Sequence, residues 1–202
     1  VLTPTDRTPP FYAKLGGNLV LGMMAHLKDG SSYMVKVAMQ SGLDREYRGA
    51  VAAYAAMPKN AARPLGLTSH RSFPVLVISG VHHKPLAPIR GRESVRMLDR
   101  GINAFLATGA RAFLKQPGND DAIDLREALE HASKHTAWPQ WECYWNRVAS
   151  DVAALPHIYQ HGDLTVNNIG VAGGELIFFD WEDFSLVDLP GFDLAVLLLS
   201  LN

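Results

Sequence analysis

The apolar positions of this chain change period along its length, and each change marks a different kind of segment. Residues 19–24 and 33–39 are nearly continuous apolar runs that flank Lys28-Asp29-Gly30, where a short polar side chain and a missing Cβ suit a tight turn. They are expected to pair as a β-hairpin. Over residues 43–57 the spacing becomes helical, with Tyr47, Ala50, Val51 and Tyr54 in register, and Pro58 ends the pattern because proline lacks the amide a helix needs. Residues 73–78 read as a third strand, and residues 81–92, rich in Pro, His and basic side chains, read as a linker. From residue 93 onward Leu98, Ile102, Phe105, Leu106 and Phe113 recur at helical spacing until Pro117-Gly118-Asn119-Asp120-Asp121 interrupts them. Further helices are expected over 124–135 and 141–155, followed by short strands around glycine turns. The pattern therefore predicts an α+β chain with a β-rich first lobe (1–80), a hinge (81–92) and a mainly helical second lobe (93–202).

Composition narrows the choices. The 202 residues are 48% hydrophobic and 19% charged with a formal net charge of −1, an ordinary globular balance without the basic footprint that nucleic acid requires. The longest apolar run, residues 194–201 apart from Ser200, is too short to cross a bilayer, and no signal peptide opens the chain. Cys143 is the only cysteine, so neither an internal disulfide nor a thiolate metal cluster can form, and a reducing cytoplasm is expected. A first residue of Val1 and an end inside an apolar run leave room for further terminal elements. Nothing in the sequence sets an oligomeric state.

The chemistry concentrates in His161-Gly162-Asp163-Leu164-Thr165-Val166-Asn167-Asn168 and the residues up to Asp180. If 169–171 and 176–179 pair as an antiparallel hairpin, Asn168 and Asp180 meet at its open end, about 5 Å apart. One amide and one carboxylate oxygen suit Mg²⁺, a hard cation that completes its shell with water and substrate phosphates. Asp163, five residues before Asn168, reaches the same mouth while facing a substrate hydroxyl, the position of a general base. A phosphate-holding cation would complete the set for phosphoryl transfer, which asks little covalent chemistry of a protein. Lys36 lies inside the apolar strand 33–39, where an unpaired ammonium is costly to bury; Glu46 in the following helix is its expected partner and Asp44 the alternative.

These residues resemble the aminoglycoside phosphotransferase and choline kinase group of kinase-like enzymes. The resemblance spans roughly residues 15–202 and rests on His161-Gly162-Asp163-Leu164-x-x-x-Asn168, on Asp180-Trp181-Glu182, and on Gly191-Phe192-Asp193-Leu194-Ala195. It implies a two-lobed protein-kinase-like fold, with ATP as donor (GTP staying open), Mg²⁺, and a small-molecule hydroxyl acceptor such as an aminoglycoside, an amino alcohol or a sugar. It also implies that Asp163 is the catalytic base, that Asn168 and Asp180 bind Mg²⁺, that Lys36 holds the nucleotide phosphates with Glu46 orienting it, and that backbone groups of Ser79 and Val81 meet the adenine. Thr165 stands where the family often has a second histidine, and the glycine loop is reduced to Leu15-Gly16-Gly17-Asn18.

Plainer readings exist for single residues. Asp163 alone would be a turn residue, and Lys36 alone an edge-strand lysine facing solvent. His161 is expected to hold backbone rather than protons, and Asp193 to cap its helix while bracing the catalytic loop. His131 and His135 share a helix face without a third zinc ligand, His82-His83-Lys84 reads as a basic linker, and Trp138, Trp141, Tyr144 and Trp145 read as core aromatics. Glu182 and Asp183 crowd Asp180, as a second metal site or a lure for a cationic acceptor. The competing functions are a catalytically weak or silent nucleotide-binding regulatory module and a protein kinase.

Overall fold

The structure is a computed structural model that describes residues 11–15, 18–39, 42–81, 84–86, 92–115, 151–152 and 154–201. The glycines 16–17, the helix expected over 124–135, most of that over 141–155, and His82, His83, His131, His135, Trp138, Trp141, Tyr144 and Trp145 lie outside the described residues.

Five strands form the first sheet in the order β1 (Phe11–Leu15), β2 (Asn18–His26), β3 (Ser32–Ala38), β5 (Phe73–Ser79), β4 (Pro64–His70), every neighbour antiparallel. The expected hairpin is β2–β3. Its turn is closed by the Gly30 amide on the Leu27 carbonyl at 3.1 Å and by Asp29 Oδ1, which accepts from the amide and hydroxyl of Ser31 at 2.9 and 2.6 Å. Two strands escaped the apolar pattern. β1 and β4 are the sheet's edges, and β4 begins with Pro64, tolerable where no ladder amide is required, and exposes Leu65.

The helix α1 (Leu43–Ala56) crosses between β3 and β4. Its buried stripe is Leu43, Glu46, Gly49, Ala50 and Ala53, while Val51, expected on that face, is exposed. The residues after α1 then fasten it to the second sheet: the Asn60 side chain donates to the Leu176 carbonyl at 2.7 Å, and the Phe178 amide donates to the Asn60 carbonyl at 2.8 Å.

That second sheet runs β6 (Lys84–Pro85), β7 (Ile169–Ala172), β8 (Glu175–Phe178). The expected linker thus carries a short strand, with Lys84 opposite Val171 and Pro85 opposite Gly170. The helix α2 (Arg92–Ala112) follows, and α3 (Phe192–Ser200) closes the described chain. A small core of Val20, Ala38, Leu43 and Leu76 underlies the first sheet. A larger aromatic one gathers Phe105, Phe113, Tyr159, Phe178, Trp181 and Phe184, with Phe105 and Phe178 stacked at 4.4 Å. Among the described residues no helix is long and apolar enough to cross a membrane.

Behind β8 the loop entering β7 is tied down by buried polar groups. Asp193 of α3 accepts from the His161 amide at 2.7 Å and the Gly162 amide at 3.0 Å. It braces the loop without capping its own helix, whose N-cap position is Gly191. Burial pushes its carboxyl up to about 6, against the pull of those two amides. His161 is fully buried, which drives its pKa down to about 4 and keeps it neutral. Its Nε2–H donates to the Phe179 carbonyl at 3.0 Å, which leaves Nδ1 to accept from the Asp163 amide at 3.4 Å.

The two titrations oppose one another. From 3.8 to about 6 the folded protein keeps a proton on Asp193 that the unfolded chain has released, so this contribution to stability fades as pH rises through that window. From about 4 to 6.5 the unfolded chain protonates His161 while the folded protein does not, so this contribution grows with pH. Asp193→Asn removes only the first. Its unfolding free energy, measured by denaturant titration, is expected to climb more steeply than wild type as pH rises through that first window, by a difference on the order of 1 kcal/mol or more. Parallel curves would contradict the raised Asp193 pKa.

Candidate active site

The hairpin β7–β8 sets the geometry of the site. Ile169 pairs with Phe178, and the Phe179 amide donates to the Asn168 carbonyl at 3.1 Å, extending the pairing one step. Asn168 and Asp180 therefore sit together at the open end, as the spacing required. A single 3₁₀ turn, Val166–Asn168, folds the chain back on itself, and Asn168 Nδ2 donates to both the carbonyl and the carboxylate Oδ2 of Asp163, at 2.8 and 2.9 Å. This contact fixes the Asp163 carboxylate and turns the Asn168 amide oxygen away from it. Asp180 has φ +67°, a left-handed conformation uncommon for residues other than glycine and a hallmark of strained functional positions.

From the other side comes Lys36. It lies on β3, between β2 and β5, opposite Gly22 and Leu76, so it is not an edge-strand lysine. Its Nζ contacts Glu46 Oε1 at 2.7 Å and Asp180 Oδ1 at 2.5 Å. Asp44, the alternative partner, is exposed. Burial pulls the Lys36 pKa down, but the charges of Glu46 and Asp180 outweigh it and hold the ammonium protonated. Burial likewise pushes Glu46 up against the pull of Lys36.

More negative charge surrounds this pair. Glu46, Asp180 and Glu182 each offer a carboxylate oxygen within 4.8 Å of the others, and one Glu46 oxygen, Oε2, is buried without a hydrogen-bond partner among the described residues. Burial and then the neighbouring Asp180 push Glu182 up to about 7. Burial and then Asp163 raise Asp183, an effect partly offset by Arg45 of α1. The donor set is oxygen-rich, and among the described residues its three carboxylates outnumber the Lys36 ammonium, which fits a hard divalent cation.

Ser79 ends β5 with both its groups engaged: its amide donates to the Arg63 carbonyl and its hydroxyl accepts from the Arg63 amide, each at 2.8 Å. Val81 follows, half-buried, beyond Gly80, whose amide donates to the Ser32 carbonyl at 2.7 Å. Lys36, Glu46, Asp163, Asn168 and Asp180 are thus brought together, while Ser79 and Val81 stand at the strand end leaving the first sheet. The direct Lys36–Asp180 contact joins residues 144 apart, out of reach of any local pattern. Trp181 was also read only as part of a motif, yet it lies in the aromatic core, 4.5 Å from the His161 ring.

Comparison with known proteins places this geometry in context. No curated protein matches the chain significantly. Several solved structures share its fold. A thermostable mutant of aminoglycoside phosphotransferase APH(4)-Ia, in a ternary complex with ADP and hygromycin B, superposes with a TM-score of 0.61 at 13% identity, covering 95% of this chain and 72% of that one. Macrolide 2'-phosphotransferase type I gives 0.60 at 13% identity over 96% and 71%. Aminoglycoside phosphotransferase APH(3'')-Id from Streptomyces rimosus gives 0.54 at 17% identity over 95% and 77%. At such identities the likeness speaks for the fold. A sequence model described as the phosphotransferase enzyme family (APH) matches residues 24–202, nearly the whole chain, and the protein therefore belongs to that family of kinase-like phosphotransferases.

Proposed function

We propose that the protein transfers the γ-phosphate of ATP, bound with Mg²⁺, to a hydroxyl of a small molecule of aminoglycoside, amino alcohol or sugar type. The observation that carries this reading is the convergence of Lys36 and Glu46 with Asp163, Asn168 and Asp180 at one hairpin mouth. The named acceptors and nucleotides of the solved relatives, hygromycin B with ADP among them, support the substrate class. Residues 1–80 and 93–202 form the two lobes in this reading, with 81–92 as the hinge and backbone groups of Ser79 and Val81 on the adenine.

Each side chain then has one task. Asp163, held by Asn168 Nδ2, accepts the hydroxyl proton as the acceptor oxygen bonds to the γ-phosphorus and the bond to the departing ADP oxygen breaks. Lys36, aligned by Glu46, balances charge on the phosphates. The Asn168 amide oxygen and the Asp180 carboxylate would hold Mg²⁺, which supplies further positive charge against the phosphate oxygens.

The two acids fail differently in this scheme. Asp163→Asn is expected to keep Mg²⁺-nucleotide affinity within a few-fold by calorimetry and to lower turnover by about 10²–10⁴. Asp180→Asn is expected to raise the Mg²⁺ requirement and weaken nucleotide binding; the reverse pattern would exchange the roles. Lys36→Ala is expected to remain folded, because Glu46 can take up a proton, yet to lose most phosphate transfer, and unchanged turnover would exclude Lys36 from the site. Mg²⁺ with nucleotide should raise the melting temperature by mass action, and chelator should abolish the rise. A rise that survives chelation would remove the metal from the mechanism.

A further inference from the structure

The helix α1 carries Glu46, but nothing in the ion pair itself says how α1 is kept at the right distance. Gly49, one turn further along, does. It lies in the middle of the helix, where glycine is disfavoured by about 1 kcal/mol relative to alanine. A Cβ there would fall 2.6 Å from the Phe184 Cβ, 2.8 Å from the Trp181 Cβ and 3.0 Å from the Phe184 Cγ. The helix backbone is thus in van der Waals contact with the segment that follows Asp180. These neighbours cannot give way easily. Trp181 and Phe184 are both buried, and they pack on each other and on Phe113 within the aromatic core.

A second observation points to the same seam. Arg45, one turn before Gly49, is an α1 charge that acts on Asp183, and its Nε is buried without a hydrogen-bond partner among the described residues. The close approach at Gly49 and the charge of Arg45 thus lie on either side of Glu46 along α1, both acting on residues 181–184.

We propose that Gly49 is a positioning residue for phosphate transfer, its bare backbone letting α1 dock on Trp181 and Phe184 closely enough for Lys36 to meet Glu46 and Asp180 at once. The proposal rests on the function assigned above. A methyl group at position 49 must push α1 away by a large fraction of an ångström, because real Cβ contacts are not found under 3.0 Å. Displacements of that order at a reacting centre lower rates by as much as about 10²-fold.

The test compares Gly49→Ala with Gly66→Ala, a glycine of β4 whose added Cβ meets nothing within 4 Å among the described residues. At a temperature where far-UV circular dichroism shows both variants folded, Gly49→Ala is expected to lower kcat, by up to about 10²-fold, and to weaken Mg²⁺-ADP binding, with Gly66→Ala at wild-type values. A lower melting temperature with wild-type kcat and affinity would mean that Gly49 serves stability alone, and would overturn the proposal. Should Gly49→Ala fail to fold, Arg45→Gln loosens the same seam without overpacking: reduced kcat supports the proposal and wild-type kcat rejects it. If the wild-type protein transfers no phosphate, the assigned function fails, and amide hydrogen exchange in Gly49→Ala or Arg45→Gln still decides the docking. Faster exchange in residues 43–56 and 180–184 together supports it, and unchanged exchange in both rejects it.

Discussion

One ammonium group ties this molecule together. Lys36 Nζ reaches Glu46 from the first sheet's helix and Asp180 from the mouth of the second sheet's hairpin, so a single charge is shared by acids that belong to different parts of the chain. The arrangement is not cheap in free energy. Glu46 is almost wholly buried, and a charged carboxylate left there without its partner would cost about 3–5 kcal/mol, a cost that uptake of a proton by Glu46 limits. Such a network is better understood as fixing geometry than as adding stability. A ligand bearing phosphates and a divalent cation would change the charge balance around Lys36 without having to build the site anew.

The rest of the site is held by a network behind and around the Asp163 loop. The loop carrying Asp163 hangs from the buried carboxylate of Asp193 and from neutral His161, while Asn168 orients the Asp163 carboxylate from the front. Asp180 is kept in a left-handed conformation by anchors on both sides: the Phe179 carbonyl accepts from His161, and the Trp181 indole packs into the aromatic core. Strain at one residue persists because its neighbours are over-determined.

How much of this was legible follows from where the information lies. The β2–β3 hairpin, α1 and the β7–β8 hairpin are local, and their turn residues and apolar periods announce them. Glu46 as the partner of Lys36 followed from the cost of burying a bare ammonium in a strand, and the meeting of Asn168 with Asp180 followed from strand pairing alone. The strands β1 and β4 stayed hidden because edge strands need not alternate, and β6 because two residues of strand leave no period at all. Gly49 and Arg45 read as ordinary helix positions, since their meaning comes from Trp181, Phe184 and Asp183 far along the chain. Asp193 was expected at a helix start, but which amides it would accept from could not be read from its own neighbours.

The central claim is that Lys36 and Glu46 act as one unit whose output is an aligned phosphate contact. A double-mutant cycle on the kcat/KM of phosphate transfer tests it most directly, using Lys36→Ala, Glu46→Gln and both together. If the two residues act as a unit, the double variant should be no worse than Lys36→Ala alone, because Glu46 has nothing left to orient. Losses that multiply across the cycle would show the two residues working independently and would contradict the account.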